Sequence, residues 1–165
     1  MTLQPLIDAS PAIQLHAVAA ALAFVLGGMI LFRTKGDRLH RMGGRIWVGL
    51  MLAVCLSSFF IHTIRLVGPW SPIHLLSVAT IAGLARGVWL ARQREIIGHR
   101  RIMQATYVGA LLIAGGFSFL PGRIMYEVFF GGPQPLAGVA VAAAIVGGGA
   151  ALAWRGMRRP QRATA

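Results

Sequence analysis

The chain has 165 residues, 56% of them hydrophobic and only 12% charged, with a mean hydropathy of +0.69. Soluble domains carry about 25% charged residues, so this composition excludes a water-soluble globular protein and places the chain in a bilayer. The formal charge of +12 does not point to nucleic acid, because the cations lie between apolar runs, where they set orientation and meet anionic lipid headgroups.

A membrane span needs about 20 mainly apolar residues, and five stretches qualify. The first runs over about 12–32. No Lys or Arg precedes Arg33, so this run is read as a retained span and not as a signal peptide. The second covers about 46–64 and is expected to be helical from near Asp37, a candidate N-cap. The third covers about 72–91, with Ser71 as N-cap and Pro72 at the first helical position, and Arg86 interrupts it. The fourth covers about 101–120 and ends before Pro121 and Gly122. The fifth, about 135–154, is rich in Ala and Gly. The expected fold is an all-α integral membrane protein, one transmembrane domain built as an up-and-down bundle of about five helices. The one cysteine, Cys55, lies mid-span as a small packing residue and excludes an intrachain disulfide; no CxxCH for covalent haem attachment is present.

Charge placement predicts the orientation. Fourteen Lys and Arg residues fall in the loop 33–45, the segment 86–101 and the C-terminal tail, against only Arg65 and Arg123 on the other side. The positive-inside rule then puts the N-terminus outside and the C-terminus in the cytoplasm. Trp47, Trp89 and Trp154 fall at the expected inner boundary and Trp70 at the outer one. Gly27, Gly28, Gly43, Gly44, Gly115 and Gly116 would let backbones or a flat cofactor approach closely, or serve helix packing alone.

On this topology the histidines sort by face. His16 and His74 lie near the outer starts of spans one and three, and His40 and His99 near the inner starts of spans two and four. The spacings repeat, 24 residues from His16 to His40 and 25 from His74 to His99. Haem iron takes axial imidazoles, b-type haem needs no covalent link, and helical bundles build such sites from facing helices. The expected pairs are His16 with His74 and His40 with His99. Arg41, Arg45, Arg100 and Arg101 surround the inner pair, where guanidinium groups bind carboxylates such as haem propionates. The plainer reading makes His40 and His99 interfacial residues beside lipid phosphates. His62, near the outer end of span two, is an alternative partner for His16 or a third ligand of a zinc or copper site. It lies 22 residues from His40, about 33 Å along a helix, so those two cannot share a site. Met42 and Met103 are candidate soft ligands or packing residues.

The stretches "LHAVAA" (15–20), "LHRMGGRIW" (39–47), "HRRIM" (99–103) and "LPGR" (120–123) resemble the predicted bacterial membrane proteins called domain of unknown function 2306, over about residues 12–125. That family's pattern has a histidine in the first span, HRxxGR plus an aromatic at the second, HRRxM at the fourth and an arginine soon after. The resemblance singles out His16, His40, Arg41, Gly44, Arg45, His99, Arg100, Met103 and Arg123. Here Ile46 separates Arg45 from Trp47, and Ile102 stands where the family commonly has Trp. "LHRMGGR" and "SPIHLLS" (71–77) are more distantly similar to helix starts of the cytochrome b561 family. That resemblance implies a four-helix core with two b haems, ligated first helix with third and second with fourth.

The sequence therefore points to a b-type haem-binding electron-transfer protein with one or two haems per chain. It would be an oxidoreductase or a relay subunit, with a quinone or a redox protein as partner. One rival is a haem-free assembly or structural subunit, forming a homo-oligomer or larger complex through Gly147, Gly148 and Gly149 of the fifth span. The other is a zinc or copper site, or a small transporter, using His16, His62 and His74.

Overall fold

The computed structural model describes residues 1–61, 72–131 and 135–158, and among them every regular element is a helix. A short helix α1 (Gln4–Ile7) precedes α2 (Pro11–Phe32), α3 (Arg38–Ser58), α4 (Pro72–Arg92) and α5 (Ile96–Thr106). A π-helical segment (Tyr107–Ile113) continues α5 without a break into α6 (Ala114–Phe117). Two further helices follow, α7 (Ile124–Phe130) and α8 (Pro135–Arg158).

Local chemistry explains the boundaries. Pro11 starts α2 at a position that needs no N–H. Past Phe32 the chain extends, and Gly36 turns it at φ +86°. The Lys35 ammonium donates to the carbonyls of Ile30, Leu31 and Arg33 at 3.1, 2.6 and 2.6 Å, covering the exposed C-terminus of α2. Asp37 caps α3 as expected, its carboxylate accepting the His40 N–H at 2.7 Å. At the far end α3 stops at Ser58, short of the predicted residue 64. The Ser57 and Ser58 hydroxyls donate back to the Ala53 and Cys55 carbonyls, each at 2.7 Å, which competes with continuing the helix.

Among the described residues, three helices are long and apolar enough to cross a membrane: Pro11–Phe32, Arg38–Ser58 and Ile73–Arg92. The first and third match the expected spans closely. The segment expected as a fourth span is helical from Ile96, with His99, Arg100, Arg101 and Gln104 in its opening turns, and is not among these three. The expected fifth lies in α8, whose apolar part is the shorter Leu136–Gly149. One face of α2 (Leu15, Val18, Leu22, Val25 and Met29) is exposed, as suits a helix facing lipid.

α2 and α3 form an antiparallel hairpin, α4 packs on α3, α5 packs on α4, and the π segment lies against α2 and α8. The core holds Ala23, Trp47, Met51, Leu84, Tyr107, Leu111 and Leu112. Trp47 corrects the expectation of an interfacial indole. It is 5% exposed and donates from Nε1 to the Ala23 carbonyl at 3.0 Å. Trp89, 54% exposed, does stand at the surface. Trp70 lies outside the described residues. At the His16 end, α1 and α7 pack together, and the Thr2 N–H donates to the Val128 carbonyl at 3.0 Å.

Candidate functional site

The antiparallel helices bring the histidines to the two ends of the bundle. At one end, His40 sits in the first turn of α3, and Asp37 holds its main-chain N–H. Its ring is half-buried, and Nδ1 is buried without a hydrogen-bond partner among the described residues. His99 sits in the first turn of α5, with Nδ1 2.8 Å from the Gly87 carbonyl of α4. A carbonyl only accepts, so Nδ1 of His99 carries the proton and Nε2 keeps its lone pair. His40 and His99 stand near enough for their charges to interact.

The cations at this end divide by what they touch. Arg33 pairs with Asp37 at 2.5 Å, and that contact, followed by the His40 N–H, holds the Asp37 carboxyl below its usual range. Partial burial, and then the nearby charge of Arg100, lowers the Lys35 ammonium from its usual value. Thus the 33–37 loop meets the start of α5. Arg41 donates to the Gly36 carbonyl at 2.5 Å, so its guanidinium closes the loop. Arg45, Arg100 and Arg101 are exposed. Arg123 is half-buried just before α7 and belongs to the opposite end.

At the His16 end, Nδ1 of His16 lies 3.0 Å from the Val54 carbonyl and 3.1 Å from the Ser57 hydroxyl of α3. The carbonyl again fixes the proton on Nδ1 and leaves Nε2 as an electron-pair donor. His74 is buried and stacks on Phe59, with ring centroids 5.6 Å apart and planes 5° off parallel. The Ser58 and Ser77 hydroxyls, 2.6 Å apart, join α3 to α4 beside it. His16 and His74 thus both reach the C-terminal end of α3, from different helices. Among the described residues no group of three or more His, Cys, Asp or Glu is placed to hold a metal ion. His62, the third ligand of the expected zinc or copper site, lies outside the described residues.

Sequence reading missed the partners that orient the imidazoles: the Val54 and Gly87 carbonyls, and Ser57. Main-chain acceptors leave no mark in a sequence. The Ser57–Ser58 pair inside an apolar run was the one available signal. Among the small residues, Gly27 and Gly28 admit the Trp47 and Tyr107 rings, and Gly116 admits Val146. Gly149 faces Leu112 of the same chain, whereas Gly147 and Gly148 have no neighbour where a Cβ would stand. Of the candidate soft ligands, Met103 packs over Gly87 and Met42 is exposed.

The chain matches the family described as predicted membrane protein (DUF2306) over residues 13–154. It belongs to that family. The match takes in all four histidine-bearing helices, the loop 33–37 and most of α8, so the sites at both ends of this DUF2306 member lie within the family's own span. No curated protein and no solved structure matches it.

Proposed function

We propose that this membrane protein binds b-type haem and carries electrons across the bilayer. His40 and His99 would hold one haem at the cytoplasmic end, and His16 and His74 a second at the outer end. The observation that carries this reading is the His40–His99 pair. Two imidazoles from different helices stand at the same end of the bundle, one with a buried unpartnered nitrogen and the other with Nδ1 donating to a carbonyl, so that its neutral ring would offer Nε2 as a ligand. An unpaired buried polar atom costs about 1–3 kcal/mol, and ligation removes that cost. The hydrogen bonds of His16 and His99 to main-chain carbonyls are the outer contacts that fix a metal-ligating histidine's tautomer and raise its basicity. Gly44, one turn along α3 from His40, has no atom within 4 Å of a Cβ position, which leaves room for a planar ring.

The residues have separate tasks. Asp37 and Lys35 build the loop that delivers His40. Arg45, Arg100 and Arg101 are free to bind anionic carboxylates, while Arg41 braces the loop. Bound haem would supply reversible one-electron chemistry. In this reading the α5–α6 helix and α8 complete a five-helix bundle with a cytochrome b561-like core. The N-terminus lies outside, the C-terminus lies in the cytoplasm, and a quinone or a redox protein exchanges electrons with the ends. The exposed Gly147 and Gly148 offer a contact for a second copy or a larger complex.

Oxidised and dithionite-reduced absorbance spectra of the detergent-purified protein, with haem counted per chain, test the reading. A sharp reduced α-band with two haems per chain is expected, falling to one haem per chain in His40→Ala and in His99→Ala. A colourless protein after expression with ample haem overturns it. Bound zinc or copper would then favour a metal site at the outer end, and a metal-free protein an assembly subunit.

A further inference from the structure

We propose that Trp47 and Tyr107 form the electronic bridge between the two ends of the bundle, an inference that rests on the haem reading above. Trp47 lies seven residues beyond His40 on α3, and Val54, whose carbonyl holds His16, lies seven residues further. At 1.5 Å per residue each interval is about 10 Å. Tyr107 comes eight residues after His99, about 12 Å along its helix. The two rings therefore occupy the middle of the membrane path.

They also meet there. The Trp47 Nε1–H donates to the Ala23 carbonyl and the Tyr107 hydroxyl to the Phe24 carbonyl, each at 3.0 Å. These are consecutive carbonyls on α2. A Cβ on Gly27 would lie 2.5 Å from Trp47 Nε1 and 2.6 Å from Tyr107 Cε2, so both rings press on one bare backbone position. The other core residues of this layer, Ala23, Met51, Leu84 and Leu111, are saturated side chains. Among the described core residues of this layer, Trp47 and Tyr107 are the two that carry π-electron density, and the exposed Phe24 ring stacks on Tyr107 with centroids 6.1 Å apart. Packing alone would be met by any apolar side chains of the same volume.

The step itself is simple to balance. Bound haem would supply one-electron exchange at each end, held by His40 and His99 at one and by His16 and His74 at the other, and the two rings would couple the ends. No bond forms or breaks and no proton moves. Both rings keep their protons, which the Ala23 and Phe24 carbonyls hold, and neither ring is oxidised.

The test uses haem-loaded protein in liposomes that enclose ferricyanide, with dithionite added outside. Trp47→Met and Tyr107→Met remove the ring and leave a flexible apolar side chain, whereas Trp47→Phe and Tyr107→Phe keep a ring. The expected result is that the Met variants slow trans-bilayer electron transfer on the order of tenfold. Haem count and midpoint potentials should match wild type, and the Phe variants should stay near the wild-type rate. An unchanged rate in the Met variants overturns the proposal. So does an equal slowing in the Phe and Met variants, or a shift in haem count or potentials, since each assigns the residues to packing. If the Met variants fail to assemble, the Phe variants decide: retained rates support the bridge, and a tenfold loss overturns it. A wild-type protein without haem overturns the parent reading and this one together, and is seen before any rate is measured.

Discussion

His99 on α5 and Gly87 on α4 are joined by a 2.8 Å hydrogen bond from the imidazole Nδ1–H to the main-chain carbonyl. The contact spans 12 residues and fastens the first turn of one helix to the neighbouring helix beside it. His99→Ala should therefore loosen the α4–α5 hairpin even in haem-free protein, by about 1 kcal/mol, the usual net value of such a bond. Unfolding by dodecyl sulfate in mixed micelles measures it. A variant as stable as wild type would mean that the bond contributes nothing.

Two glycine substitutions should differ in cost. A Cβ at Gly27 meets the Trp47 and Tyr107 rings, which hydrogen bonds hold in place. A Cβ at Gly87 meets the flexible end of Met103. Gly27→Ala should cost about 3 kcal/mol, the upper range for overpacking, and Gly87→Ala under about 1 kcal/mol because methionine can swing aside. The same micelle titration ranks them, and equal costs would contradict the packing described.

The Asp37 cap should respond to pH. Its carboxyl is held below the usual range by Arg33 and the His40 N–H, so its contribution is present above the unfolded value, about 4. That contribution is lost as pH falls through the lower folded value. Asp37→Ala should be less stable than wild type at neutral pH, as for other N-caps. The difference from wild type should close in acid. Stability curves of both proteins from pH 7 downward show whether the two lines meet.

Arg94, two residues beyond α4, has φ at +61°, a left-handed conformation that favours glycine. The Glu95 N–H closes the turn on the Leu90 carbonyl at 2.9 Å. Arg94→Gly should raise stability by up to about 1 kcal/mol through relief of that strain. A loss of stability would show that the arginine side chain contributes more than its backbone costs.

Much of this architecture was legible in the sequence, for identifiable reasons. Pro72 and Asp37 act locally, so the starts of α3 and α4 could be read directly, and hydropathy alone put the start of α2 within a residue. The first-turn placement of His40 followed from Asp37, whereas the helix that carries His99 starts at Ile96, ahead of the expected 101. Trp47 was misread because a tryptophan near a hydropathy boundary usually seats at the interface. Its burial depends on Gly27, 20 residues away on another helix, and no local pattern pairs them. The stop at Ser58 depends on two hydroxyls bonding backward, which hydropathy averages over. The expectation of several glycines beside a flat group was met in part by protein rings, since Trp47 and Tyr107 take the space at Gly27.

The π segment has a consequence for how the two halves of its helix are phased. Bonds from i to i+5 over Tyr107–Ile113 mark one surplus residue wound into an otherwise α-helical rod. Upstream, His99 and Met103 face α4; downstream, Leu112 and Gly116 face α8. Deleting a single residue such as Gly109 would let the rod rewind as an α-helix and turn everything beyond it by about 100°. Leu112 would then swing away from Gly149, and α8 would lose its seat while the His99 end stayed in place. The bulge acts as a vernier between two contact surfaces, setting the azimuth of one against the other without moving either helix axis.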